Sequence, residues 1–137
     1  MNDDYCAFIG KSLDQFTGTD ITCVKDDIGI HDAFGGYGCN EDRGVRIYFD
    51  KQLLCTKVII EFDCRNSHDF LGLNQGAKLS DIGSVFGKID EYGWHSLRGN
   101  WFIPEVVAVY ILNGNRIEVS AGLISKRIRR IWIEKIA

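Results

Sequence analysis

Apolar and polar residues alternate with the two-residue period of a β-strand along much of this chain. In Val45-Arg46-Ile47-Tyr48-Phe49, Val45, Ile47 and Phe49 point one way and Arg46 and Tyr48 the other. One sheet face is therefore expected to pack on a core while the other meets solvent. β-Branched and aromatic residues predict further strands at 21–24, 28–34, 56–62, 92–96, 106–112, 116–120 and 127–135. Val58-Ile59-Ile60 is apolar on both faces, the pattern of a central strand. Asn113-Gly114 separates two strand runs, and both residues accept the positive φ of a type I′ hairpin. Pro104 stands just before the strand at Glu105, where its missing N–H loses no ladder bond. Helical spacing is confined to 78–86, where Leu79, Ile82, Val85 and Phe86 share a face and Gly87 supplies a stop. A shorter turn, Leu13 to Phe16, is broken by Thr17-Gly18-Thr19-Asp20.

The order of motifs recurs. Gly10-Lys11-Ser12-Leu13-Asp14-Gln15-Phe16 matches Gly76-Ala77-Lys78-Leu79-Ser80-Asp81-Ile82, and Asp26-Asp27-Ile28-Gly29-Ile30-His31 matches Asp90-Glu91-Tyr92-Gly93-Trp94-His95. Val45–Phe49 then pairs with Val107-Ala108-Val109-Tyr110-Ile111, and Lys57-Val58-Ile59-Ile60-Glu61 with Arg130-Ile131-Trp132-Ile133-Glu134. Four matches in one order predict an internal duplication, with units at about 5–64 and 70–137, a linker at 65–76 and an insertion at 116–125. The expected fold is one α+β domain over 1–137: a mainly antiparallel sheet built from two related helix-plus-meander units, with few short helices.

Charge changes this picture more than composition does. Residues 1–45 carry nine acidic side chains against three basic ones, whereas the last 18 residues hold Lys126, Arg127, Arg129, Arg130 and Lys135 against Glu134. A strongly negative first third disfavours nucleic acid and suits a basic protein partner, because complementary potentials speed association. No apolar run approaches the roughly 18–20 residues that cross a bilayer. The acidic start Met1-Asn2-Asp3-Asp4-Tyr5 lacks the pattern of a secretory leader, so a cytoplasmic protein is expected. Five cysteines, Cys6, Cys23, Cys39, Cys55 and Cys64, lie far apart with no C-x-x-C pair, which favours reduced thiols over a disulfide scaffold or a zinc site.

Candidate chemistry is sparse. His31 and His95 occupy matched positions, and with a cysteine they define the alternative of a small hydrolase or metal-dependent enzyme; no third metal ligand is specified by spacing. Gly35-Gly36-Tyr37-Gly38 lacks the G-x-x-x-x-G-K-[ST] phosphate cradle and is expected to be a flexible loop. Tyr37 within it, followed by Asn40-Glu41-Asp42, is an aromatic anchor with an acidic rim, a composition suited to a protein interface. Trp94 and Trp101 flank a second loop, Arg98-Gly99-Asn100. Lys126-Arg127-Ile128-Arg129-Arg130 is expected to blunt an edge strand.

Leu79-Ser80-Asp81-Ile82-Gly83-Ser84-Val85-Phe86-Gly87 resembles the helix of the tandem units in β-lactamase-inhibitor-protein-like domains. Lys25-Asp26-Asp27-Ile28-Gly29-Ile30 resembles a Tyr/Trp-Asp-Asp-Leu-Gly-Ile motif of small bacterial proteins, some of them similar to immunity proteins of contact-dependent inhibition systems; Lys25 stands where that motif has its aromatic residue. The resemblance implies a non-enzymatic protein that occludes a toxin's active site, without cofactor or metal, as a monomer or weak dimer. Asp26, Asp27, Asp32, Tyr37, Glu41 and Asp42 are its expected partner-binding residues. A structural or small-ligand module is the third possibility.

Overall fold

A computed structural model of the chain describes residues 5–26, 34–62, 73, 76–86, 91–98, 101–122 and 124–136, with 84–86, 91–98 and 101–104 described as backbone. Its strands are β1 (Thr22–Lys25), β2 (Gly36–Asn40), β3 (Val45–Phe49), β4 (Cys55–Glu61), β5 (Glu91–Arg98), β6 (Trp101–Leu112), β7 (Asn115–Gly122) and β8 (Ile128–Lys135). All eight form one antiparallel sheet in the order β1-β2-β3-β4-β8-β7-β6-β5. Two meanders thus meet along β4 and β8, with Ile59 opposite Trp132, Lys57 opposite Glu134 and Glu61 opposite Arg130. Among the described residues, helical structure is limited to two 3-10 turns, Tyr5–Phe8 and Leu13–Phe16, and α1 (Leu79–Phe86). The architecture is mainly antiparallel β with few short helices, as the alternating pattern predicts.

The core lies on one face of the sheet. Val45, Ile47 and Phe49 of β3, Val58 and Ile60 of β4, Ile117 and Val119 of β7, and Ile131 and Ile133 of β8 are buried together with Tyr5, Phe16 and Ile82 from the helical segments. Each such side chain contributes roughly 1.5–3 kcal/mol by leaving water. Phe8, Phe16 and Phe49 pack edge to face, with centroids 5.2 and 5.7 Å apart. Arg46 and Tyr48 face away from this core, and Val58, Ile59 and Ile60 are all buried in the central strand expected of them.

The turn Leu13–Phe16 and α1 are held to the sheet in the same way. Leu13 N–H donates to the Leu53 carbonyl (2.9 Å) and Cys55 N–H to that of Lys11 (2.8 Å), while Leu79 N–H donates to the Lys126 carbonyl (2.8 Å) and Ile128 N–H to that of Ala77 (2.9 Å). Leu53 and Lys126 both adopt left-handed backbone, φ 62° and 60°, and Gly10 and Gly76 lie at 91° and 93°. The Ser12 N–H is capped by Gln15 Oε1 at 2.8 Å and the Lys78 N–H by Asp81 Oδ2 at 2.9 Å. Register shifts occur at Tyr48/Phe49 opposite β4 and at Ser120/Ala121 opposite β8.

Several expectations are corrected. The stretch at 35–38 is not a loop: Gly36–Asn40 is β2, paired on both sides. A Cβ on Gly38 would lie 2.8 Å from Cys23 Sγ and 3.0 Å from both Ile21 Cγ2 and Ile47 Cγ1, so glycine is there for close approach. The strand expected at 28–34 falls outside the described residues except Phe34, which is not in a strand. The expected insertion at 116–125 begins as β7, a full member of the sheet. Consequently Val45–Phe49 lies on the third strand of its meander but Val107 to Ile111 on the second of the other; of the stretch 26–31, only Asp26 is among the described residues. The first match joins the turn Leu13–Phe16 to α1 and the last joins β4 to β8, elements of the same rank. β8 is central rather than an edge, because β7 and β4 supply the pairing that basic residues were expected to discourage. Pro104 lies inside β6, where the β5 register shifts between His95 opposite Glu105 and Leu97 opposite Phe102, so no ladder bond is asked of it. Within the expected linker, Leu73 is buried in the core.

Asn113-Gly114 forms the expected tight hairpin between Leu112 and Asn115, with φ 52° and 80°.

Candidate interaction surface

The sheet face turned away from the core carries the aromatic and charged side chains. Strand alternation lines up Val24, Tyr37, Tyr48 and Lys57 across β1 to β4, because Val24 is in register with Tyr37, Tyr37 with Tyr48, and Tyr48 with Lys57. Tyr37 is 50 % exposed and Val24 46 %. The flanking glycines of β2 point into the core, so the only large side chain at the middle of this strand faces outward.

This Tyr37–Tyr48 ridge separates two depressions. One, of about 240 Å³, is lined by Val24, Lys25, Asp26, Phe34, Gly36, Tyr37 and Tyr48. The other, about 700 Å³ and open, runs along Tyr37, Cys39, Glu41, Arg46, Tyr48 and Glu61. Asp26 therefore stands on one side of the ridge and Glu41 on the other. Asp42 is exposed beside Glu41 in the β2–β3 turn, and Asp27 and Asp32 lie outside the described residues.

Next to the ridge, Lys57 Nζ sits 4.6 Å from the Trp132 ring centroid, 5.3 Å from that of Phe34 and 5.6 Å from that of Tyr48. Phe34 and Tyr48 are themselves 5.1 Å apart. Beyond Lys57, Glu61 accepts from Arg130 Nε at 2.7 Å and from Arg46 at 3.3 Å, so two guanidinium groups share one carboxylate. Arg129 reaches the buried Glu105 at 3.3 Å and Arg116 pairs with Glu118 at 2.9 Å. Arg129 and Arg130 of the last strand are thus each tied to a carboxylate of another strand, while Lys126 and Arg127 ahead of it are exposed.

Phe34, Tyr48, Lys57 and Trp132 were not singled out as site residues from sequence. The alternation in β3 shows Tyr48 facing outward, but its neighbours Tyr37 and Lys57 follow only from the registers of β2 and β4.

Catalytic candidates gain little definition. His31, His68 and Cys64 lie outside the described residues, and His95 is described as backbone in β5, opposite Glu105. Cys6, Cys23, Cys39 and Cys55 are free thiols. Burial pushes the Cys55 thiol up to about 12, and burial followed by the neighbouring Cys39 raises that of Cys23, so neither is a ready thiolate nucleophile near neutral pH. Among the described residues no three His, Cys, Asp or Glu side chains are grouped to hold a metal ion, and no helix is long and apolar enough to cross a membrane.

Comparison with protein-family models, curated proteins and solved structures returned no match to this chain.

Proposed function

We propose that this chain is a cytosolic binding protein of the immunity type, which neutralises a basic toxin domain by covering its active site, and that it is built from two copies of one helix-plus-meander unit. The observation that carries the binding reading is the exposed Tyr37–Tyr48 ridge with Asp26 and Glu41 in the depressions on either side. Large, stiff aromatic side chains give contact area at low entropic loss, and carboxylates around them steer a basic partner.

The two-unit reading is supported by the paired anchors: Gly10 with Gly76, Leu53 with Lys126, and the matching bulges before Phe49 and Ala121. On this alignment Ile59 and Trp132 are equivalent and also face each other, so a pseudo-two-fold axis passes between them. By the same registers Tyr37 and Tyr48 correspond to Val107 and Ser120. The aromatic pair belongs to the first unit alone, while buried positions such as Val58 and Ile131, or Phe16 and Ile82, stay apolar in both. An outward aromatic pair present in one unit only is what a binding specialisation of that unit produces.

Affinity capture from the native host, with mass spectrometry, identifies the partner. Against it, the double substitution Glu41→Lys/Asp42→Lys is expected to slow association about tenfold at low salt and flatten its salt dependence. Association kinetics unchanged at both salt concentrations would remove this surface from the interface.

A further inference from the structure

We infer that Lys57 is the receptor for a carboxylate of the protein partner, set inside the surface proposed above and resting on that reading. Lys57 is half-buried, its ammonium lies against three aromatic rings, and among the described residues no carboxylate or carbonyl accepts from it. Its cross-strand neighbour Glu134 does not take that role, although the register places the two directly opposite; Glu134 Oε2 instead accepts from Trp132 Nε1 at 3.3 Å. The rings hold the side chain by their faces, which attract a cation but accept no conventional hydrogen bonds. Among the described residues, the donors of this positioned ammonium are left for an external acceptor.

The surroundings point to the charge of that acceptor. Arg46 and Arg130 share Glu61 and Glu134 lies opposite Lys57, so the centre of this face, from Arg46 through Lys57 to Arg130, holds three cations against two carboxylates, while Asp26, Glu41 and Asp42 lie toward the β1–β3 margin. A cationic, aromatic centre with an acidic margin complements a partner patch in which one carboxylate is surrounded by basic groups. Such opposed charges fix the orientation of docking, which a uniformly acidic surface does not.

The test uses the full ¹⁵N-labelled chain with two probes, decaglutamate and decalysine peptides, followed by amide and indole chemical shifts. Decaglutamate is expected to shift the Lys57 and Tyr48 amides and the Trp132 indole, with affinity reduced about tenfold by Lys57→Met and largely retained by Lys57→Arg. Spectral dispersion equal to that of the unsubstituted chain verifies the fold of both variants. Decaglutamate shifts that survive Lys57→Met, or that are absent from the unsubstituted chain, overturn the proposal. Decalysine is expected to shift Glu41 and Asp42 in all three proteins; its failure to do so overturns the acidic-surface reading instead.

Discussion

At Gly38 a single missing methyl group lets β2 pack closely between its neighbours. The position an alanine Cβ would take is 2.8 Å from Cys23 Sγ and 3.0 Å from Ile47 Cγ1, inside ordinary contact distance on two neighbouring strands. Gly38→Ala is therefore expected to destabilise the protein by about 1–3 kcal/mol, read as a lower urea midpoint with an unchanged slope. An unchanged midpoint would mean that β1 and β3 yield without loss. This residue also shows why the glycine stretch carries the sequence signature of a loop. Strand propensity rewards side chains that fill a pleated surface, and a glycine selected because its neighbours already fill the space carries the opposite signature. Tyr37 and Glu41 were legible as an aromatic and acidic composition; that Tyr37 builds a ridge with Glu41 beside it was not, because it depends on the strand at 36–40.

Elements with a local cause were the most readable. Asn113-Gly114 needs only two residues to specify its turn, and the helical spacing of Leu79 and Ile82 needs only one face to bury. Left-handed Leu53 and Lys126 were invisible, since neither residue type favours φ near +60° and the conformation is imposed by the bonds that dock each helical segment. Lys126 is exposed, so replacing it tests the backbone alone. Lys126→Val, with a branched Cβ in this region, is expected to cost about 1–2 kcal/mol, whereas Lys126→Asn is expected to be neutral or slightly stabilising, both measured by thermal unfolding. Equal melting temperatures for the two variants would show that the segment before β8 relaxes freely.

Across the whole molecule, the alternating pattern predicted a β-rich fold and an asymmetric sheet but not the strand order. Local sequence cannot state that β8 pairs with β4, because that contact is set by which apolar edges remain open after each meander has formed. The error over the basic run follows from this. Lys126 to Arg130 looks like edge protection until Glu61 and Glu105, far away in sequence, are brought alongside Arg130 and Arg129. Amide hydrogen exchange offers a check at this scale. Val58, Ile59 and Ile60 of β4 and Ile131 and Ile133 of β8 are expected to exchange most slowly, near the rate set by global unfolding, and β1 at the margin fastest. Faster exchange in β4 than in β1 would place the stability elsewhere.

The seam between β4 and β8 also has a consequence for biosynthesis. A growing chain that has completed its first four strands still displays one margin of β4, rich in isoleucine and valine and lacking its ladder partner, until nearly 70 more residues have been added and β8 arrives. During that interval the nascent protein has a bare strand open to any extended segment, so the sheet closes across its middle only when Ile128 to Lys135 has been made.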